Sequence, residues 1–282
     1  MPFSHLKQRD LDFPNLLYQP EYDSKILWIK FNTPDVLNAM SGDTIARLGE
    51  YMRAGDEDPG IRVIVVTGVG RAFSAGANMK ANRSADGERE GGGMQTENQE
   101  MGRVHMKEAQ LAMRELSLIR KPTIAMLNGA AVGMGMDVSL MCDIRVGCEH
   151  TRYFTYQNFG QIIEQGGMYW LPRLMGLGNA LELLYTGGYI WGDELYRLGV
   201  LNHYWPAEEL EAKTRELCEK IVDSPPLVQT IGKQIMRRSL ESNMETVFEM
   251  CSNVSPTLFA SQDSKEAVRA FLEKRKPNFI GG

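Results

Sequence analysis

The chain has 282 residues, of which 43% are hydrophobic and 24% charged, enough to build one large domain or two smaller ones around a substantial core. Its net charge of −5 counts against a nucleic-acid surface as its main business, while leaving room for local basic spots that meet a phosphate-bearing ligand. The four cysteines (Cys142, Cys148, Cys218, Cys251) form no C-x-x-C pair and no ligand-like spacing with the four histidines. That pattern excludes a dedicated metal site and a disulfide framework, and suits buried free thiols in a reducing compartment. Residues 1–12 carry no apolar core of a secretory signal, and no run approaches eighteen apolar residues. A soluble cytoplasmic protein with no membrane contact is the expectation.

Taken in order, residues 26–31 are β-rich and run into the turn signal Asn32-Thr-Pro-Asp35. Ser41 or Asp43 can cap a helix whose apolar face includes Ile45, Leu48 and Met52. It ends near residues 56–60, and residues 63–67 form a second buried strand, so the pair reads as a strand–helix–strand crossover. Small residues at 74–77 let another backbone, or a ligand, come close. Residues 81–100 are polar with a triple glycine, which predicts a mobile loop, a candidate lid. Residues 101–119 carry a helical stripe with His105 beside it.

Residues 123–127 are a short apolar run between Pro122 and Asn128-Gly129, the mark of a buried strand. Gly133-Met134-Gly135 and an apolar stretch to Met141 follow, which reads as a glycine turn starting a helix. The free N–H groups at such a turn suit a developing negative charge. Another strand is predicted at 144–147. Residues 153–174 do not resolve into elements by pattern alone. Helices are expected at 176–186 and 192–198. From about 207 onward the chain is helical, broken at Pro225-Pro226 and closed by a helix over 264–274. The division is therefore a core over residues 1–206 and a helical oligomerisation region over 207–282.

Seven segments in order resemble the motifs of the crotonase, or enoyl-CoA hydratase/isomerase, superfamily. They are Asn32-Thr-Pro-Asp-Val-Leu-Asn-Ala-Met40, the loop over 68–80, Lys121-Pro-Thr-Ile-Ala-Met-Leu-Asn-Gly129, Met141-Cys-Asp-Ile144, Leu171-Pro-Arg-Leu174, Leu198-Gly-Val-Leu201 and the segment 271–279. The resemblance implies an α/β fold, a crotonase-like spiral of β-β-α units with a C-terminal helical trimerisation region that assembles as a homotrimer or a dimer of trimers. It implies an acyl-CoA thioester substrate, with coenzyme A as part of the substrate and no separate cofactor. The backbone N–H groups of Ala75 and Met134 would form an oxyanion hole, each donor contributing about 3–4 kcal/mol to an enolate. Gly76, Ala77, Asn78, Gly133 and Lys274 would meet the substrate or its CoA.

The departures from that pattern bear on the reaction. Hydratases carry two glutamates; the first position here is Asp137, shorter by one methylene, and the second falls among Tyr156, Gln157 and Asn158, with no carboxylate. Glu164, before Gly166-Gly167, stands where some isomerases, hydrolases and dehalogenases of the superfamily carry an acid. Two carboxylates beside an enolate suit proton shuttling, so Glu164 and Asp137 are the catalytic candidates. His105, Tyr156, Tyr169 and Trp170 are candidate walls of the acyl pocket. Double-bond isomerisation and hydration of an enoyl-CoA are the leading readings. Hydrolysis of a thioester or C–C bond is the alternative, and a non-catalytic CoA- or RNA-binding member is the alternative of another class.

Overall fold

The apolar runs become strands covered on both faces. The computed structural model describes residues 12–78, 99–155, 157 and 160–281, apart from the side chains of residues 99–102 and 105. Its strands are β1 (Leu16–Glu21), β2 (Ile26–Phe31), β3 (Val63–Gly68), β4 (Ala72–Ser74), β5 (Thr123–Leu127), β6 (Ala130–Val132), β7 (Ile144–Gly147), β8 (Arg152–Phe154), β9 (Tyr189–Trp191) and β10 (His203–Tyr204). The larger sheet has the order β1-β2-β3-β5-β7-β10, parallel except for β1 against β2. The smaller has the order β4-β6-β8-β9, parallel except for β9 against β8. Side chains alternate along a strand. Leu27, Ile29 and Phe31 thus join one core with Ile64, Val66 and Leu127, while Ile26 and Trp28 join a second with Val63, Val65 and Met126. With both faces buried, such strands read as unbroken apolar runs, not as alternation.

The helices are α1 (Gly42–Glu57), α2 (Gln99–Ser117), α3 (Met134–Met141), α4 (Gly167–Met175), α5 (Leu177–Thr186), α6 (Gly192–Arg197), α7 (Leu210–Val222), α8 (Pro226–Ser239), α9 (Met244–Ala260) and α10 (Gln262–Glu273). The spiral shows in the repeated order: β3-β4-α2, then β5-β6-α3, then β7-β8-α4. Each turn gives one strand to the large sheet and the next to the small one, then crosses by a helix. This is the crotonase arrangement that the motifs imply. Of the two candidate caps for α1, Ser41 serves: its Oγ accepts the Thr44 N–H at 3.3 Å. Residues 153–174 resolve into the end of β8 and α4. The loop expected over 81–100 lies mostly outside the described residues.

α7 covers the second core with Leu210 and Cys218. Cys142, Cys148 and Cys218 are buried free thiols, whereas Cys251, expected to be buried with them, is exposed on α9. No helix among the described residues is long and apolar enough to cross a membrane.

Polar groups tie the crossovers down. Lys121, the first residue of the Lys-Pro motif, donates through Nζ to the carbonyls of Gly55 (2.8 Å) and Asp58, capping the end of α1. Burial pushes its pKa down to about 8. Asp143 holds α8 to the core. Its Oδ2 accepts from Lys233 Nζ at 2.6 Å and from the Thr123 N–H at 2.9 Å, and its Oδ1 accepts from Arg237 at 2.8 Å. Asp143→Ala strands both cations against the core. We expect it to cost roughly 2–4 kcal/mol in urea unfolding, with the loss greatest in probes on α8. An unchanged midpoint would show that the helix docks by apolar contact alone.

Candidate active site

The site forms where two loops leave the small sheet. β4 runs on into Ala75–Asn78, and a clip made by residues 37–40 sets that path. Asn38 donates through Nδ2 to the carbonyls of Val69 (3.0 Å) and Ala72 (2.8 Å), and its own carbonyl accepts from Ser74 Oγ at 2.7 Å. Ala75 N–H donates to Leu37 O at 2.8 Å, Met40 N–H to Gly76 O at 2.7 Å, and Asn78 N–H to Met40 O at 2.9 Å. In a regular strand an N–H and the next residue's carbonyl point to opposite sides. Gly76, at φ +82°, turns the chain so that both Ala75 N–H and Gly76 C=O face the 37–40 segment.

This corrects the expected donor. Ala75's N–H is already committed to Leu37, so it cannot meet a thioester oxygen. Ala77 pairs with Met40 as an isolated parallel bridge, whose two bonds use Gly76 O and Asn78 N. The N–H of Ala77 therefore points to the other side. It has no backbone partner among the described residues, and Ala77 lines the cleft.

The second loop joins β6 to α3. Gly133 adopts φ 47° and ψ −114°, a combination foreign to side-chain-bearing residues, and passes the chain into the helix. Met134 is the first helical residue, so its N–H has no intrahelical acceptor. Gly135 lets α3 start hard against β4: a Cβ there would sit 2.7 Å from Ser74 O. The two sequence-distant donors are thus held on one cleft by a glycine contact.

Both candidate carboxylates reach that cleft. It is a narrow cleft lined by Ala77, Gly133, Met134, Asp137, Ile162, Ile163, Glu164 and Gln165. Asp137 is 3% exposed, and its Oδ1 accepts the Gly167 N–H at 2.7 Å. Burial pushes its pKa up to about 7; the Gly167 bond pulls it back, and the neighbouring Glu164 charge adds a smaller upward push. Glu164 is half-buried, and burial raises its pKa as well. Its backbone carbonyl is held by Gln110 Nε2 at 2.9 Å. The pair can divide the labour of acid and base, with Asp137 the better proton holder.

Other expected site residues stand elsewhere. Tyr169 and Trp170 do not wall this cleft. The Tyr169 hydroxyl donates to Glu241 at 2.8 Å, and Arg173 lies 3.6 Å from its ring centre. Trp170 lines a separate apolar groove under α8, with Leu174, Val228 and Arg237. Helical spacing explains Tyr169: Gly167, at the start of α4, faces Asp137, so the residue two further on turns away from it. Lys274 is exposed as the left-handed cap of α10 and does not line the cleft. Gly76 and Asn78 frame the first loop without lining the cleft. His105 lies on α2, but its side chain is outside the described residues, as are Tyr156 and Asn158. Gln157 donates to Leu183 O at 2.5 Å and is not part of the cleft. Ile162, Ile163 and Gln165 were not singled out from sequence. Their one signal was position, next to Glu164 and ahead of a glycine pair that must pack closely: a Cβ on Gly167 would sit 2.1 Å from Ile163 Cγ2.

The two-layer spiral places the chain in a recognisable fold class, and comparison with known proteins gives the family. The enoyl-CoA hydratase/isomerase family profile matches residues 21–282. The chain is 30% identical over 272 residues to a crotonyl-CoA hydratase of Syntrophomonas wolfei, covering 95% of this chain and 98% of that one. It is 29% identical over 260 residues to a peroxisomal Delta(3,5)-Delta(2,4)-dienoyl-CoA isomerase of Arabidopsis thaliana, covering 91% and 93%. Among solved structures, an enoyl-CoA hydratase subunit of Geobacillus kaustophilus superposes with a TM-score of 0.84 at 31% identity, covering 96% of this chain and 100% of that one. The chain belongs to the enoyl-CoA hydratase/isomerase family, and it is an enzyme of that family.

The Asp137 shift fixes a pH dependence of stability. Its pKa is near 7 in the fold against an ordinary 3.8, so the folded protein holds the proton more tightly than the unfolded chain. The stability from this carboxyl is fully present below about 4 and is lost as the pH rises through about 7. Asp137→Asn cannot ionise and can still accept from Gly167. Its melting temperature relative to wild type should therefore be higher at pH 8 than at pH 5, by about 3 °C or more. A difference that does not vary with pH would contradict the buried, proton-holding carboxyl.

Proposed function

We propose that this enzyme moves protons on an enoyl-CoA thioester, with Asp137 and Glu164 as its acid and base. The observation that carries the reading is the shared cleft: both carboxylates line it together with Ala77 and Met134, whose N–H groups are free to hold the thioester oxygen. As electron density moves onto that oxygen to form an enolate, two preorganised donors stabilise it by about 3–4 kcal/mol each. Glu164, the more exposed acid, is the ionised base. Asp137, kept protonated by burial, is the acid that delivers a proton to carbon. No cofactor is needed beyond the coenzyme A of the substrate itself. The exposed Met236, Phe248, Phe259, Phe271 and Leu272 on the C-terminal helices support the expected assembly into trimers.

The test is turnover on a panel of 2-enoyl- and 3-enoyl-CoA esters. Glu164→Gln and Asp137→Asn should each lower kcat/KM by roughly 10²-fold or more. Because Asp137 must carry its proton, wild-type kcat/KM should fall as the pH rises above about 7, and that limb should vanish in Asp137→Asn. Wild-type turnover in either carboxylate variant would sink the assignment. Met134→Ala keeps the backbone donor, so its kcat should stay within about tenfold of wild type. A loss as large as that of the carboxylate variants would show that the side chain, not the N–H, does the work.

A further inference from the structure

One polar group in the cleft is left unused by the reading above. Gln165 is 5% exposed and lines the same cleft as Asp137 and Glu164, yet its Oε1 is buried with no hydrogen-bond partner among the described residues. A buried acceptor left unpaired is destabilising, and an apolar side chain would fill the place without that cost. No described residue stands within hydrogen-bond reach to donate to it. Ile162, Ile163 and Ala77 carry apolar side chains, the Gly167 N–H is taken by Asp137, and Gln110 is spent on the Glu164 carbonyl. An ionised Glu164 has no proton to share. The reactants can supply the donor that the described residues do not. An unsaturated hydrocarbon acyl chain brings none; a water molecule, or the hydroxyl it becomes, brings one.

We propose that Gln165 is a positioning residue for the water that adds across the acyl double bond, an inference that rests on the proton-transfer reading of the site. One O–H of the water is given to Glu164 and the other to Gln165 Oε1. The water oxygen bonds to C3 while Glu164 takes its proton, and the C2=C3 electron pair moves into the enolate held by Ala77 and Met134. C2 then takes the proton of Asp137 as the thioester carbonyl re-forms. The product is the 3-hydroxyacyl thioester; Glu164 is left with the water's proton and Asp137 without its own, and proton exchange with solvent restores both carboxyls for the next turnover. In the reverse direction Gln165 holds the C3 hydroxyl. The amide thereby favours hydration over a simple shift of the double bond.

The test compares two reactions of the full chain. One is hydration of but-2-enoyl-CoA; the other is loss of C2 deuterium from labelled butanoyl-CoA into water, which needs the enolate machinery but no water at C3. Gln165→Met keeps the bulk and removes the acceptor. It should lower kcat for hydration by about tenfold or more while deuterium loss and KM stay within about threefold of wild type. Hydration unchanged in Gln165→Met, or hydration and exchange falling together, would overturn the role. A wild-type enzyme that converts but-3-enoyl-CoA to but-2-enoyl-CoA without hydrating it would overturn this inference alone. Wild-type protein that neither hydrates nor exchanges would overturn the proton-transfer reading along with it.

Discussion

A helix must begin with N–H groups that have no acceptor of their own, and here α3 begins with Met134 on the cleft that Asp137 and Glu164 share. That depends on how closely α3 can approach β4. Gly135 leaves no room for a Cβ beside Ser74 O, and Gly133 bends the chain into the helix through a conformation only glycine enters easily. On the other side, the 37–40 clip consumes the N–H of Ala75 and turns that of Ala77 into the cleft. Two donors from distant segments are thereby fixed without any side chain. Backbone donors need no reorganisation as charge develops, which is where preorganised electrostatics has its advantage over water.

The same geometry sets a contest at Asp137. Its place in the first turn of α3 and its bond from Gly167 both favour the charged carboxylate. Almost complete burial opposes them and prevails, so the acid holds its proton near neutral pH. Glu164, less buried on the same cleft, is pushed in the same direction by burial. Two carboxyls with different exposure thus share one cleft.

Much of this was legible before the structure, and the misses have physical causes. The strands at 26–31, 123–127 and 144–147 are short β-rich stretches flanked by turn residues, and the strands observed there have those limits. The small sheet was invisible. Its strands β4, β6, β8 and β9 are three residues each, too short for a period to show, and exist because neighbours pair with them. The donor on the first loop was placed two residues early, because which N–H is free depends on the 37–40 clip and on the left-handed turn at Gly76. Tyr169 and Trp170 drew attention by size and by nearness in sequence to Glu164. Tyr169, two residues past Gly167, turns away from Asp137 to meet Glu241, and Trp170 packs into the groove under α8. Gln165 went unnoticed because only burial makes its amide exceptional.

The central claim is that Ala77 and Met134 hold a thioester oxygen between their backbone N–H groups. The infrared carbonyl band of a saturated acyl-CoA, labelled with carbon-13 at C1 and bound to the enzyme, tests it directly. The account predicts that the band moves to lower frequency on binding, and that Met134→Ala leaves the shift in place because the donor is main chain. A band at the free-thioester frequency in the bound complex would contradict it.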